Sequence, residues 1–489
     1  MRSFDVFDTL IARKCVEPEA VFALVENDLG MAGFARMRIE AERRLQGREY
    51  QIDDIYAQLR QARDLPADTL SFAQERELLH ELDQVIPIAR HLAQVGDGDV
   101  LVTDTYLPTP FIGQLLERAG LRRVVTIVRS ADGKATGRIW QALQESGGVG
   151  QHLGDNPHSD GEMARRHGIQ STISGTSRPT PLEAHLSRSG YRGIALLARI
   201  LRLGIADIDP IALALKEVQA NINIPLLILA SMDLRHRIAN SPQPPDRLLF
   251  SSRDCLSWQR IFQAMPVPES WAGEYDCRYF LTSRIARVSG TPAYVEYFRS
   301  LATERSLVID LCGTGLTLAK LYATAGIAPA THLLYMIGDG SVRDSYGAGF
   351  AAGLASDASA LVRSTDGVGN LALELMNAAS HGMALDAAEI AGMPQKVYMP
   401  RLAPVEYDER QVAWLEGMAD LVETAVEWFA DPFLESMLRE EALNAARNAA
   451  PTLLPLLRQA EDTTILAESF LRTHLEADAS VYAMLGCRA

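Results

Sequence analysis

The stretch Ser3-Phe4-Asp5-Val6-Phe7-Asp8-Thr9-Leu10 decides how the first part of this chain is interpreted. Its apolar start predicts a short buried strand over residues 3–7, and Thr9 follows Asp5 by four positions. A carboxylate at the mouth of a buried strand is accessible to a substrate, so Asp5 is a candidate nucleophile. Phe7 stands where an acid/base would be expected, which limits the chemistry open to Asp5.

Length, composition and charge bound the class of protein. At 489 residues, two or three domains are expected rather than one hydrophobic core. The net charge of −15, with no Lys/Arg-rich block, argues against nucleic acid or an anionic membrane as the main partner. Five scattered cysteines and a charged N-terminus predict a reduced, cytoplasmic protein. Residues 218–232 are apolar but contain Asn and Pro, so we interpret them as a buried core element too short and broken to span a membrane.

The order of apolar runs predicts an α/β fold with a parallel sheet in the first part of the chain. Strands are expected at residues 3–7, 100–102, 124–128 and 151–155, with helices between them. Residues 18–95 have helical periodicity almost throughout, which predicts an insertion over the carboxyl edge of the sheet. The turn-rich stretch 174–181 marks the first domain boundary.

The rest of the chain predicts a second α/β sheet followed by helices. After a break at residues 241–246, short apolar runs at 248–250, 279–281, 307–309 and 332–337 alternate with helical patterns. From about residue 405 the pattern is helical. We therefore predict three regions, at residues 1–173, 182–404 and 405–489.

Four polar residues lie at or near the predicted carboxyl ends of the first strands: Asp5, Thr103, Lys134 and Asp155. Ligands bind at this edge of open α/β sheets. An Asp can attack phosphorus, a hydroxyl can hold a phosphoryl oxygen, and a Lys can neutralise charge on both groups. Asp155 is suited to hold Mg²⁺, with Asp160 supporting the site from behind.

These residues resemble the four motifs of the haloacid dehalogenase superfamily. The motifs are matched in order by residues 4–10, 101–107, 130–137 and 154–160. The resemblance covers residues 1 to about 173. It implies a Rossmann-like domain with an inserted helical cap, at about residues 16–90, that closes over the site and supplies specificity.

The resemblance also implies a role for each residue. Asp5 would be the nucleophile and a Mg²⁺ ligand, Phe7 would offer the metal its backbone carbonyl, and Asp155 would be the other protein ligand. Thr103 would hold the phosphate through its hydroxyl, and Lys134 would neutralise charge on the nucleophile and the phosphoryl group. The chain departs from the superfamily's phosphatases at Phe7, where they carry a second Asp that protonates the leaving alcohol.

Three interpretations of Phe7 are open. A leaving group of low pKa needs no general acid, as in the superfamily's dehalogenases, where an aromatic residue can occupy this place. Another side chain such as His158 could serve instead, whereas Asp8 is one residue late and, by strand alternation, should point elsewhere. In the third interpretation hydrolysis is slow and the domain mainly binds its ligand.

The main feature of the second half is the stretch Ser306-Leu307-Val308-Ile309-Asp310-Leu311-Cys312-Gly313-Thr314-Gly315-Leu316-Thr317-Leu318. It predicts a strand, a Gly/Thr loop and a helix from near Leu318, whose free N–H groups suit phosphate. It resembles the phosphoribosyl-diphosphate loop of type I phosphoribosyltransferases, with Ile309 in place of the first of two acidic residues. The expected phosphate- and ribose-binding residues are Asp310, Gly313, Thr314, Gly315, Thr317, Arg253 and Arg284.

A second, degenerate dehalogenase-like core is an alternative for this half. The spacing from Asp310 to Thr314 equals that from Asp5 to Thr9, and residues 337–344 repeat a Gly-Asp with an Asp five positions later. The stretch between is too short for the second and third motifs, so a plain loop is the better account.

We therefore expect a two-part, Mg²⁺-dependent enzyme. The first part would hydrolyse a small phosphorylated substrate, and the second would attach a phosphoribosyl group from phosphoribosyl diphosphate. A binding or scaffold protein with two degenerate phosphate sites is an alternative, favoured by Phe7 and Ile309. A carbon–halogen dehalogenase is another, favoured by Phe7. The sequence is compatible with a homo-oligomer.

Overall fold

The protein has a mixed α/β architecture with two parallel five-stranded sheets. The sequence predicts the α/β class and both sheets, but it does not predict the fifth strand of each, at Gln170–Ile173 and Ser359–Ser364. A computed structural model describes residues 1–63, 65–337, 358–364, 370–444 and 446–462, together with 472, 473 and 476. The chain divides into two compact units, the first comprising residues 1–180 and 203–206, the second 181–202 and 207–489. The predicted repeat of the Gly-Asp motif, from Gly338 to Asp344, lies outside the described residues.

The first unit contains a central sheet, a short ribbon and helices. Its strands are β1 (Arg2–Phe4), β2 (Ile11–Arg13), β3 (Val85–Pro87), β4 (Val100–Asp104), β5 (Thr126–Ser130), β6 (Gln151–Gly154) and β7 (Gln170–Ile173). Its helices are α1 (Ala20–Leu29), α2 (Phe34–Arg43), α3 (Ile52–Arg63), α4 (Ala67–Gln84), α5 (Ala89–Leu92), α6 (Thr109–Arg118), α7 (Gly133–Thr136), α8 (Arg138–Glu145) and α9 (Met163–Arg166), the last preceded by a π-helical turn at Pro157–Glu162.

Strand β1 lies at the centre of the first sheet, whose order is β5-β4-β1-β6-β7. It pairs in parallel with both neighbours, so Ser3 lies beside Val100 on one side and His152 on the other. The chain winds outward in one direction from β1 through β4 to β5, then in the other through β6 to β7. The carboxyl end of β1 is therefore the switch point at which such sheets bind ligands.

Both faces of this sheet are covered, which explains its uninterrupted apolar strands. On β4, Leu101 packs with Phe4 in one core cluster. Its neighbours Val100 and Val102 pack with Trp140 in another cluster. The polar residues that end these strands are therefore confined to the edges of the sheet.

The segment between β1 and β4 contains the predicted helical insertion and an unpredicted ribbon. Helices α1 to α4 lie between β2 and β3, which pair antiparallel with Ile11 opposite Pro87. Strands of three residues are too short to show alternation in a sequence, so this ribbon was not predicted. Strand β1 is also shorter than expected, because it ends at Phe4.

The second unit contains the other parallel sheet, an antiparallel ribbon and most of the remaining helices. Its strands are β8 (Arg247–Ser251), β9 (Asp276–Phe280), β10 (Ser306–Gly313), β11 (Ala330–Ile337), β12 (Ser359–Ser364), β13 (Ala384–Glu389) and β14 (Tyr398–Leu402). Its helices are α10 (Pro181–Arg188), α11 (Arg192–Leu203), α12 (Pro210–Val218), α13 (Ile224–Ala239), α14 (Leu256–Ala264), α15 (Arg284–Ser289), α16 (Pro292–Leu301), α17 (Leu316–Ala325), α18 (Asn370–Asn377), α19 (Glu409–Trp428), α20 (Pro432–Glu441) and α21 (Ala450–Asp462). A π-helical turn spans Gln219–Asn223, and 3₁₀ turns span Glu269–Trp271 and Ala446–Asn448.

The second sheet has the order β12-β11-β10-β8-β9. The chain starts at β8, passes outward to β9, then returns to β10 on the other side of β8. The switch point of this sheet therefore lies between β8 and β10. The helices after residue 405, predicted as a separate region, belong to the same compact unit as this sheet.

Among the described residues, one helical segment, Pro210–Ala239, is long and apolar enough to cross a membrane by length and composition alone. More than half of its most apolar window is buried inside the protein, as in the core helix of a soluble protein. The interpretation of residues 218–232 as a buried element agrees with this burial. The expectation that Asn and Pro break the segment is wrong, because the π-helical turn at Gln219–Asn223 lets the helix continue through Pro225.

Candidate active site

Asp5 lies at the switch point of the first sheet, directly after β1. Its N–H donates to the carbonyl of Leu153 on β6 at 2.8 Å. Its side chain is almost completely buried, and one of its carboxylate oxygens accepts a hydrogen bond from the Thr9 hydroxyl at 3.4 Å. The sequence therefore placed this carboxylate correctly at the carboxyl end of a central strand.

Lys134 contacts Asp5 from the short helix α7. Its Nζ atom lies 2.6 Å from Oδ1 of Asp5 and 2.8 Å from Oδ1 of Asp160. Its backbone N–H donates to the carboxylate of Asp104, with both oxygens at 3.0 Å. Next to it, a Cβ atom on Gly133 would lie 2.6 Å from the Ser130 hydroxyl, so glycine is required for α7 to approach the strand end.

Asp155 and Asp160 complete the cluster after β6. One carboxylate oxygen from each of Asp5, Asp155 and Asp160 lies within 4.8 Å of the others. The N–H of Asn156 donates to Oδ2 of Asp160 at 3.0 Å. A Cβ atom on Gly154 would lie 2.4 Å from the Asp160 side chain, which is the physical reason for a glycine before Asp155.

His152, which the sequence did not single out, holds Asp160 from inside the sheet. Its Nε2 atom lies 3.2 Å from Oδ1 of Asp160, and its Nδ1 atom lies 2.8 Å from the hydroxyl of Ser3. Because a carboxylate only accepts, Nε2 carries the proton, and Nδ1 accepts from Ser3. Burial lowers the pKa of His152, so the ring is neutral. The signal that could have revealed it is a histidine at an inward position of a predicted strand, two residues before the Gly-Asp pair.

Charges within the cluster shift the pKa of each member. Burial and the charges of Asp160 and Asp155 raise the pKa of Asp5, while Lys134 opposes that rise. Burial works against ionised Asp160, but the hydrogen bond from His152 and the charge of Lys134 lower its pKa to about 2. Burial alone would lower the pKa of Lys134, yet Asp5 and Asp160 raise it above its ordinary value, so Lys134 is charged.

The donor set fits a hard divalent cation such as Mg²⁺. Three carboxylates converge here against one ammonium group, which leaves an excess of negative charge. Carboxylate oxygens are the ligands that Mg²⁺ prefers, and a cation here would favour the ionised form of Asp5. Asp5 and Asp155 would hold it, while Asp160 is already engaged by Lys134 and His152.

The side chain of Phe7, two residues after Asp5, packs against Arg13. The guanidinium group of Arg13 lies over the Phe7 ring, 4.4 Å from its centroid. Arg13 also donates two hydrogen bonds to Glu81 on α4, at 2.9 and 3.1 Å. The aromatic ring at this position therefore packs against the charged pair that joins the ribbon to the inserted helices.

The strand-alternation argument about Asp8 is wrong. Strand β1 ends at Phe4, and Asp8 adopts a left-handed conformation with φ of 57°, so alternation does not apply to it. Burial is the main cause that raises the pKa of Asp155, and the charges of Asp160 and Asp8 raise it further.

Of the other predicted residues in the first unit, Thr103 is buried and His158 is exposed. Thr103 is buried near the carboxyl end of β4, on the same sheet edge as Asp5. His158 is exposed, and its ring pairs with Glu162 at 3.0 Å on the surface. An exposed ring that contacts Glu162 on the surface does not favour His158 as the missing acid.

In the second unit, the predicted strand, loop and helix are present, with α17 starting at Leu316. The loop bends through Gly313 and Gly315, with φ of 137° and 75°. The Thr314 hydroxyl accepts from the N–H of Leu316 at 3.3 Å.

The charged residues expected to accompany this loop have protein partners. Asp310 accepts from Arg287 at 2.8 Å, and the same Arg287 nitrogen lies 3.5 Å from the Thr317 hydroxyl. Arg253 pairs with Glu406, and Arg284 begins α15. Arg287, which sequence reasoning missed, therefore brings Asp310 and Thr317 together.

No family model matches this chain, and no curated protein matches it either.

Proposed function

We propose that the first unit is a Mg²⁺-dependent hydrolase of small phosphoesters, of the kind found in the haloacid dehalogenase superfamily. The observation that carries this proposal is the position of Lys134, bonded to both Asp5 and Asp160 at the switch point of the sheet. The parallel sheet and the helical insertion between β1 and β4 add support, because the resemblance implies a Rossmann-like domain with an inserted cap.

The chemistry follows from these contacts. An oxygen of Asp5 attacks phosphorus, the bond from phosphorus to the ester oxygen breaks, and the leaving group departs with the bonding electrons. Water then attacks the phosphorus of the aspartyl phosphate, the bond from phosphorus to the Asp5 oxygen breaks, and the Asp5 carboxylate is regenerated while the released phosphate keeps the protons of the water. Lys134 offsets charge on the carboxylate and the phosphoryl oxygens, and Thr103 donates its hydroxyl to one of them. When bound at Asp5, Asp155 and the Phe7 carbonyl, Mg²⁺ would supply further charge neutralisation.

Phe7 favours substrates whose leaving group needs no proton. Phenolate-like or acyl phosphate leaving groups have a low pKa and depart as anions, whereas alkoxides require an acid. We therefore expect low-pKa leaving groups to be preferred.

The test measures phosphate release with Mg²⁺ from a panel of aryl, acyl, sugar and nucleotide phosphates. Asp5→Asn should abolish release, while Asp83→Asn, at an exposed position of the same unit, should leave it unchanged. Equal release from both variants would contradict the proposal. Mg²⁺-dependent binding without turnover would support the binding protein instead, and halide release would support the dehalogenase.

For the second unit we propose binding of phosphoribosyl diphosphate, with phosphoribosyl transfer as its activity. The loop at 313–317 favours it, because it lies at the end of β10 and opens into α17. Since Arg253 is engaged by Glu406, the loop backbone would hold the diphosphate. Asp310, which Arg287 contacts through Oδ2, would accept from the ribose hydroxyls. Calorimetric titration with phosphoribosyl diphosphate and Mg²⁺ should show binding that Asp310→Ala weakens, and no heat from the wild-type protein would contradict it.

We also propose a soluble, cytoplasmic protein. The apolar helical segment Pro210–Ala239 is mostly buried inside the protein, and small phosphorylated substrates of this kind occur in the cytoplasm.

A further inference from the structure

A second cluster of metal-ligating side chains lies at the switch point of the second sheet. One ligand atom from each of Asp254, Cys255 and Asp310 lies within 4.8 Å of the other two. Asp254 and Cys255 follow the end of β8, and Asp310 belongs to the neighbouring β10. Asp310 and Cys255 are buried, and Asp254 is half-buried.

Asp310 is held in a fixed orientation by Arg287. The guanidinium of Arg287 donates to Oδ2 of Asp310 at 2.8 Å and to the Thr282 hydroxyl at 3.1 Å. The Thr282 hydroxyl is in turn contacted by the Tyr294 hydroxyl at 2.7 Å. An ordered ligand of this kind has lost its conformational freedom before a cation binds.

A buried hydroxyl group beside Asp310 independently indicates a missing ligand. The hydroxyl of Ser251 is fully buried and has no hydrogen-bond partner in the described part of the chain. Phe250 pairs with Ile309 across β8 and β10, so the next residues, Ser251 and Asp310, lie side by side on the same face of the sheet. An unpaired buried hydroxyl destabilises the folded protein, and a ligand at this position would supply the missing hydrogen bond.

The charge around the cluster favours a cation. The charged side chains that act most strongly on Asp254 are Asp310, Glu374 and Arg287, and Arg253 also interacts with Asp254. Because Arg253 is paired with Glu406, four carboxylates lie against two guanidinium groups here. Thiol and carboxylate ligands together suit zinc and related transition metals, whereas Mg²⁺ avoids sulfur.

We propose that Asp254, Cys255 and Asp310 bind a divalent transition-metal ion of the zinc class. Three protein ligands leave a fourth position for water or a substrate atom, to which the Ser251 hydroxyl can bond. This site is separate from the carboxylate cluster around Asp5 and does not depend on the activity proposed for it.

The test uses cobalt as a spectroscopic probe of the full-length, chelator-stripped protein in excess Mg²⁺, which occupies oxygen-only sites. One Co²⁺ should bind per chain with a thiolate-to-cobalt charge-transfer band, and zinc should displace it. Cys255→Ser should remove the band, and Asp310→Asn should weaken Co²⁺ binding at least tenfold. Cys277→Ser, a matched control at a half-buried cysteine of β9, should leave both unchanged.

Asp5→Asn should retain the cobalt band, which separates this proposal from the hydrolase proposal. Thermal unfolding of each metal-free variant checks that it folds. If Cys255→Ser does not fold, single Ser variants of the other four cysteines decide the assignment, since each should keep the band. Absence of the band in the wild-type protein, or its loss in another cysteine variant, overturns the proposal.

Discussion

The ammonium group of Lys134 lies 2.6 Å from the carboxylate of Asp5, with both side chains buried. A buried lysine in contact with a candidate nucleophile is expected where negative charge accumulates during a reaction. Asp160 contacts the same ammonium group at 2.8 Å, so two carboxylates fix Lys134 in place.

Lys134→Met should lower the rate of phosphate release by roughly 10²- to 10³-fold, because the charge on the phosphoryl oxygens loses its cationic partner. It should also destabilise the first unit, since Asp5 and Asp160 would be buried without that partner. Steady-state kinetics and urea unfolding measure both effects. Lys396→Met, at an exposed lysine, should change neither. Unchanged kcat in Lys134→Met would show that this ammonium group does not act on the reaction.

Phe7→Asp should extend activity to alkyl phosphates, because it supplies an acid for the alkoxide. We expect the ratio of kcat/KM for alkyl over aryl phosphates to rise about tenfold or more. Phe7→Leu separates this effect from loss of the Arg13 contact, since it removes the ring without adding an acid. If Phe7→Asp and Phe7→Leu gave equal ratios of kcat/KM for alkyl over aryl phosphates, position 7 would not be where the acid is missing.

His332 should make the second unit less stable at acid pH. Its Nδ1 lies 2.8 Å from the Ser359 hydroxyl, and burial, partly opposed by Asp233, lowers its pKa to about 4. The unfolded chain takes up a proton below about pH 6.5, while the folded chain does not until about pH 4. The free energy of unfolding should therefore fall by about 3 kcal/mol as the pH decreases across that window.

Urea unfolding at several pH values, followed by the fluorescence of Trp258 beside His332, measures this loss. His332→Gln should flatten the dependence, and His158→Gln, at an exposed histidine, should leave it as it is. A wild-type slope in His332→Gln would refute the prediction.

The sequence predicts the parts of the fold that depend on local pattern. Apolar runs such as Val100 to Val102 indicate strands covered on both faces, and polar residues just beyond them mark the edge where parallel strands end together. This is why Asp5, Lys134 and Asp155 could be assigned to one sheet edge from their order alone. The Gly-Asp pair at residues 154–155 is also a local pattern, and the structure explains its glycine, because a Cβ atom at position 154 would overlap the side chain of Asp160.

Other features depend on contacts between distant segments and leave no local pattern. His152 bonds Ser3 across 149 positions of sequence, and Arg287 reaches Asp310 on another strand. The conformation of Asp8 depends on where β1 ends, which a run of apolar residues locates only within a few positions.

Formation of an aspartyl phosphate on Asp5 distinguishes a covalent hydrolase from a protein that only binds phosphate. The most direct measurement is to quench the protein with acid during turnover of its best phosphoester, reduce it with borohydride and map the peptides by mass spectrometry. Borohydride converts a phosphorylated aspartate to homoserine, so we predict homoserine at position 5, dependent on substrate and Mg²⁺ and absent from Asp5→Asn. Phosphate release that persists in Asp5→Asn, with aspartate unmodified at position 5 of the wild-type protein, would contradict the account.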